Sequence, residues 1–262
     1  LSSTYSNPSL PLNTKLKQSS NFLPALRPNN LSKILYVSAL SIPNFSPFSF
    51  NINIPFGDDN VTINNCSFYN GGRGVLALSH NVTVDNSSFY HNTIGFDAQG
   101  TDHLIVNNYF YNNTEGIVLN DAHNVVIRNN VIVGAGGDDG IVNSASPDYV
   151  TIDSNRIYNT SLGIQLSSAS GKTNARIVNN YIYNTSLQSV DLAEVEPNLY
   201  FANNTINLSG NDCFQISSGG VTNDNQTFIG NTFVDCTTNS LDIRFSTTCT
   251  DNYYINNSKL IN

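Results

Sequence analysis

Apolar residues recur along this chain in a fixed frame. Ile63, Val84, Ile105, Ile127, Ile152, Ile177, Phe201 and Phe228 each open a similar stretch, as in Ile63-Asn64-Asn65-Cys66-Ser67-Phe68-Tyr69 and Ile177-Val178-Asn179-Asn180-Tyr181-Ile182-Tyr183. Their spacing is 21, 21, 22, 25, 25, 24 and 27 residues. Five residues after each anchor stands a second apolar residue: Phe68, Phe89, Phe110, Ile132, Ile157, Ile182, Ile206 and Phe233. Twelve to fourteen residues after it comes a third: Val75, Phe96, Ile117, Ile141, Ile164, Val190, Phe214 and Leu241. Around each position apolar and polar residues alternate, the pattern of a half-buried strand, and no segment keeps the 3.6-residue period of a helix. Each repeat therefore predicts three short strands. A single repeat cannot bury its apolar face, whereas stacked repeats form one continuous core.

The turns carry their own periodic signals. Gly74, Gly95, Gly116, Gly140 and Gly163 each precede a third-strand residue, which predicts a corner with positive φ. Three residues after the anchors lie Cys66 and Ser87, then Asn108, Asn130, Asn155, Asn180, Asn204 and Asn231. Six consecutive asparagines at one register position predict a buried amide ladder, each side chain serving its own turn and its neighbour.

The I-x-x-N-x-I-Y-N…G-I-x-L pattern over residues 61 to about 245 resembles the right-handed parallel β-helix proteins of the pectin-lyase-like group. That resemblance implies an all-β fold: one right-handed parallel β-helix of eight or nine coils. It leaves function open, because the class includes lyases, hydrolases, phage tailspikes, adhesins and surface proteins. The expected organisation is an extended Pro-rich N-terminal arm over 1–32, holding four of the nine prolines, an irregular first coil or cap over 33–60, and the β-helix over 61–262. Ile42 and Ile54 lie 21 residues before Ile63 and Val75, which predicts their places in the first coil. No capping helix is visible at either end, and open sheet edges invite stacking on another copy.

Composition narrows the partners. Eleven Lys and Arg against nineteen Asp and Glu give a net charge of −8 and leave no basic patch for nucleic acid. No apolar run is long enough to span a bilayer. The chain opens at Leu1 without an initiator Met, which reads as a processed, exported chain of the extracellular space or cell surface. Among Cys66, Cys213, Cys236 and Cys249 no metal spacing appears, and in an exported protein one disulfide among Cys213, Cys236 and Cys249 is expected. His80, His91, His103 and His123 show no ligand pairing, so neither metal nor cofactor is expected.

Asparagine numbers 43. Thirteen Asn-x-Ser/Thr sequons start at Asn30, Asn44, Asn60, Asn65, Asn81, Asn86, Asn112, Asn159, Asn184, Asn203, Asn207, Asn225 and Asn256, and none uses a ladder asparagine. Asn112, Asn159 and Asn184 share one outward turn, so occupied sequons would form rows of covalent glycans.

Candidate chemistry is sparse. Gly137-Asp138-Asp139-Gly140-Ile141 resembles the G-D-D-C-I segment of polygalacturonases, which implies acid/base roles for Asp138 and Asp139. The N-T-D, G-H-G and R-I-K elements of that family are missing. A second candidate is the outward row Leu76, Asp97, Val118, Val142, Gln165, Asp191, Gln215 and Asp242; within it Asp191 and Asp242, two coils apart, stand about 9–10 Å from one another, at the far edge of the spacing an inverting hydrolase needs. Arg128 and Asp153, each one residue after an anchor, read as a surface pair. With no catalytic pattern assembled, the reading is a non-enzymatic, N-glycosylated structural protein. It would self-assemble head-to-tail, or through the arm, into a surface filament or layer. Low charge and abundant Asn, Ser, Thr and Tyr resemble archaeal surface proteins. The alternative is a carbohydrate-active enzyme (a polysaccharide lyase or inverting hydrolase) or a carbohydrate-binding adhesin on the same fold.

Overall fold

The computed structural model describes residues 33–36, 51–135, 137–145, 147–168, 174–194, 198–217, 226–244, 253–255 and 258–260. The expected arm over 1–32 lies outside them, as do Ile42, Cys249 and the sequons at Asn30, Asn44, Asn225 and Asn256.

Every repeat contributes three strands, and each stacks in parallel on its counterparts one coil away. Face A holds the anchors: Val61–Asn64, Thr83–Asp85, Leu104–Val106, the C-terminal half of Glu115–Arg128, Asp148–Asp153, Ala175–Val178, Tyr200–Ala202 and Thr227–Ile229. Face B runs from Ser67–Tyr69 to Ser258–Leu260 as one nine-stranded sheet. Face C includes Arg73–Ala77, Ile94–Thr101, the N-terminal half of Glu115–Arg128, Asp139–Asn143, Ile164–Ser168, Val190–Glu194 and Phe214–Ser217. The eight anchor strands bound seven complete turns of a right-handed β-helix. Lys33–Tyr36 pairs onto the first anchor strand and Tyr253–Ile255 onto the last. The first coil is longer than the 21-residue spacing predicts, for Leu35 faces Ile63 and Ile52 faces Val75. Among the described residues there is no helix, and so none long and apolar enough to cross a membrane.

Apolar columns from the three faces meet in the core. Ile63, Val84, Ile105, Ile127, Ile152 and Ile177 are fully buried, as are Phe68, Phe89 and Phe110. Phe68 and Phe89 stack at 4.8 Å between centroids and Phe89 and Phe110 at 4.6 Å, within the range of favourable offset stacks.

The corners explain the asparagine content. Asn65, Asn86, Asn107, Asn129, Asn179 and Asn203, each two residues past an anchor, have φ between 49° and 57°. A second corner places Asn70, Asn112, Asn159 and Asn184 in the same left-handed region, and a third places Asn60, Asn81 and Asn124 there. Asparagine tolerates this conformation better than other residues with a side chain. The glycines serve another purpose than expected. Gly74, Gly95, Gly116, Gly140 and Gly163 do not have positive φ. What excludes a side chain is close stacking: a Cβ on Gly116 would meet the Gly140 carbonyl oxygen at 2.6 Å, and one on Gly140 would run into that of Gly163.

The amide ladder is continuous and directional. The backbone N–H of Asn108 donates to Asn130 Oδ1 at 2.9 Å, Asn130 to Asn155, Asn155 to Asn180, Asn180 to Asn204 and Asn204 to Asn231. Each Nδ2 donates back to an anchor-strand carbonyl, as Asn155 does to Ile127. A second, shorter ladder occupies the corner after face B, where Gly71 N–H donates to Asn92 Oδ1 and Asn92 N–H to Asn113 Oδ1, both at 3.0 Å. Cys213 and Cys236 form a disulfide, and buried Cys66 donates from Sγ to the Asn64 carbonyl.

Candidate functional site

Face C concentrates the titratable groups. The residue just before the close-packed glycine column is Arg73, Ile94, Glu115, Asp139 and Leu162 in successive coils, aligned by strand register through Asp139. Two residues past that column, Asp97 projects in the coil between Arg73 and Glu115. Arg73 Nε donates to Asp97 Oδ2 at 2.7 Å; the Arg73 side chain is half-exposed and that of Asp97 is 2% exposed. The second oxygen of Asp97, Oδ1, is buried without a hydrogen-bond partner.

Glu115 and Asp139 stand opposite one another on adjacent strands. Burial pushes the Glu115 carboxyl above its ordinary pKa; the charges of Asp139 and Asp97 push it further, against the pull of Arg73. Burial also raises Asp139, whose Oδ1 accepts from the Leu162 N–H at 3.1 Å. One cation and three carboxyls thus share one patch, two of the carboxyls partly exposed and biased toward the protonated form. Such bias equips a carboxyl for proton transfer near neutral pH. The adjacent-strand spacing of about 4.8 Å is nearer the separation in retaining glycosidases than in inverting ones.

The residues expected from sequence are distributed as follows. Asp139 belongs to this patch, whereas Asp138 accepts from the Ala135 N–H at 2.9 Å and holds its own turn. Asp191 lies further along face C, with Gln215 between it and Asp242 in register. Burial raises the Asp191 carboxyl, assisted by the charge of Asp212 and opposed by a 3.4 Å hydrogen bond from Gln165. Asp191 and Asp242 are thus two coils apart in register. Arg128 faces Asp153 in register, but the Asp153 carboxylate accepts from Asn179 and Ser154. Arg73 and Glu115 were missed, and Asp97 stood only as a member of the outward row. The signal available for Arg73 and Glu115 was a place beside the glycines that they share with Asp139, as Arg73-Gly74, Glu115-Gly116 and Asp139-Gly140. Among the described residues no group of three or more His, Cys, Asp or Glu is placed to hold a metal ion.

Of the described sequon asparagines, Asn60, Asn65, Asn81, Asn86, Asn112, Asn159, Asn184 and Asn203 have positive φ; Asn207 does not. Their placement therefore has a backbone cause independent of glycans. Asn81 Nδ2 donates to Asn60 Oδ1 at 2.6 Å and Asn184 Nδ2 to Asn159 Oδ1 at 2.7 Å.

Fold and patch define a right-handed parallel β-helix protein with an acidic face. A family model described as a right handed beta helix region matches residues 44–148. Among solved structures the chain is similar to an alginate lyase from Paenibacillus sp. str. FPU-7, with TM-score 0.55 and 15% identity over 80% of this chain and 82% of that one. It is also similar to the A-module of the mannuronan C-5 epimerase AlgE6 from Azotobacter vinelandii, with TM-score 0.53 and 19% identity over 78% of this chain and 65% of the module. No curated protein sequence matches the chain. At these identities the likeness establishes the fold. It also corrects the expectation of a non-enzymatic filament subunit: both of these structures are of carbohydrate-active enzymes, and the absent polygalacturonase motifs speak only about that one family.

Proposed function

We propose that this protein is a carbohydrate-active enzyme that works on a polysaccharide across the acidic patch of face C. The observation that carries the reading is the Glu115–Asp139 pair beside Arg73 and Asp97: partly exposed carboxyls with raised pKa on a rigid stack of strands. Glu115 is the proton-transfer group, and Asp139 and Asp97 keep its proton affinity high through their charge. Arg73 supplies the one cation of the patch, suited to a sugar carboxylate or developing negative charge. The named activities of the two similar structures, alginate lyase and mannuronan epimerase, support an acidic polysaccharide as the substrate class.

The test is an assay against alginate, pectate and neutral polysaccharides that reads unsaturated ends, new reducing ends and C-5 inversion separately. Glu115→Gln is expected to lower turnover by a factor of at least about 10² with an unchanged unfolding curve. Wild-type turnover is expected to fall in acid with a limb above the ordinary carboxylate range, because the deprotonated Glu115 is the active form. Asp139→Asn removes a repelling charge and is expected to move that limb to lower pH. A panel with no turnover, or a Glu115→Gln variant as active as wild type, would overturn the proposal.

A further inference from the structure

The corner between faces A and B carries asparagines of two kinds. Asn65, Asn86, Asn107, Asn129, Asn179 and Asn203 share one left-handed backbone conformation there, and all six are exposed. Asn107 Nδ2 donates to the Asp85 carboxylate at 2.9 Å, and Asn179 Nδ2 to that of Asp153 at 3.0 Å. The side-chain amides of Asn65, Asn86 and Asn203 make no hydrogen bond among the described residues. These three are the sequon members of the corner. Ser67, Ser88 and Thr205 follow them by two residues, each partly exposed and with its hydroxyl equally unpartnered among the described residues. The fold accounts for the asparagines, since left-handed backbone favours them, but not for the hydroxyls. Two residues past the corner position the chain enters face B, and at that register position other coils carry Tyr109, Val131, Arg156 and Tyr181. Packing therefore does not require a hydroxyl there.

We infer that Asn65, Asn86 and Asn203 are sites of covalent N-glycosylation, and that the other described sequons stay bare. An amide that is to accept a sugar must be reachable and must not already be donating its hydrogens to a partner. Asn81 and Asn184 fail the second condition, because their Nδ2 atoms donate to Asn60 and Asn159. Asn60, Asn112, Asn159 and Asn207 are only partly exposed. The sequon of Asn207 also needs Ser209, which is 2% exposed and donates its hydroxyl inward to the Asp212 carbonyl at 2.8 Å. Only the folded coil separates the two groups, so transfer follows the closing of the coil. The sugar comes from an oligosaccharide carried on a polyprenyl diphosphate, delivered by a transferase that reads the sequon. A bond forms between Asn Nδ2 and the anomeric carbon. The anomeric C–O bond to the carrier breaks, the diphosphate leaves with the electron pair, and the amide nitrogen gives up one proton. In a coil of three faces, the corner between A and B lies opposite face C. Glycans there leave the acidic patch open, and the inference does not rest on the proposed activity. Asn65 and Asn86 stand on adjacent coils, about 4.8 Å apart. The bulk of one glycan hinders a second, so this pair carries one glycan per molecule.

Glycopeptide mass spectrometry on the full chain, isolated from the cells that make it, tests the inference site by site. Sugar is expected on the peptide of Asn203, and on one of Asn65 and Asn86 in each molecule. The peptides of Asn81, Asn184 and Asn207 are expected bare. Thr205→Val keeps the asparagine and installs the residue that Val131 already provides at this register position. It is expected to fold normally, with an unchanged unfolding curve, and to lose the sugar at Asn203. Unmodified Asn65, Asn86 and Asn203 would overturn the sites. Sugar retained at Asn203 in Thr205→Val would overturn the role of the hydroxyl. Occupancy at Asn81, Asn184 and Asn207 equal to that at Asn203 would overturn selection by the folded coil.

Discussion

His103 shows how a single residue is constrained by the coil it occupies. The ring is 1% exposed, packs edge-on to Phe96, and its Nε2 lies 2.8 Å from the Gln99 carbonyl. Burial lowers its pKa, and the carbonyl contact only partly offsets the effect. In the unfolded chain the ring takes up its proton near pH 6.5, while the folded chain resists until lower pH. The unfolded state therefore binds more protons in that window. Stability from this group is complete above about pH 6.5 and declines as pH falls toward the folded value. His103→Gln keeps a donor for the carbonyl and is expected to flatten the stability–pH curve there in thermal unfolding. The ladder asparagines are the other residue-scale constraint. Asn155 is 1% exposed and serves the Asn130 N–H, the Ile127 carbonyl and the Asn180 amide. Asn155→Ala orphans buried partners and is expected to cost about 1–3 kcal/mol in denaturant unfolding, far more than Asn→Ala at an exposed position.

At the scale of the strand, stacking sets what each position accepts. Gly116→Ala places a methyl against the Gly140 carbonyl and is expected to cost about 1–3 kcal/mol, measurable as a lower denaturation midpoint. A corner glycine of positive φ would be sensitive for a different reason, and that was the reading the sequence suggested. The apolar frame was fully legible, because one register position in each coil must be apolar and the spacing repeats: Ile63 through Phe228 align on face A as their order implies. The ladder asparagines could be read for the same reason. The second ladder could not, since it has only Asn92 and Asn113 as amides before buried Thr160 and Thr185 take the equivalent corner. The candidate site was legible in two residues of four, Asp139 and, as a member of an outward row, Asp97. Asp139 stood out in a local motif, but Arg73, Asp97 and Glu115 come from three other coils, and their partnership depends on which side chains a coil spacing brings within electrostatic reach. A linear motif search does not see that distance.

Across the whole described solenoid, each coil touches only its neighbours, so damage stays local. The Cys213–Cys236 disulfide closes a segment of 23 residues near the C-terminal end. A loop of this size contributes about 3 kcal/mol in the chain-entropy account. Reduction is expected to raise amide exchange in the coils around Phe214 and Phe233 and to leave the coils around Phe89 and Ile127 protected, as hydrogen exchange followed by mass spectrometry would read. Uniform loss of protection would instead mean one cooperative unit.

The one-way run of the asparagine ladder bears on how the chain is made. The Asn108 N–H finds its acceptor on Asn130, and Asn130 finds its own on Asn155. Each turn thus waits for a group that lies 22 to 27 residues further along the chain. During synthesis from the N-terminus, the newest coil always carries an unsatisfied turn, and only the arrival of its successor seals it. The growing protein therefore sets one coil behind the ribosome's exit, like a seam closed a stitch late.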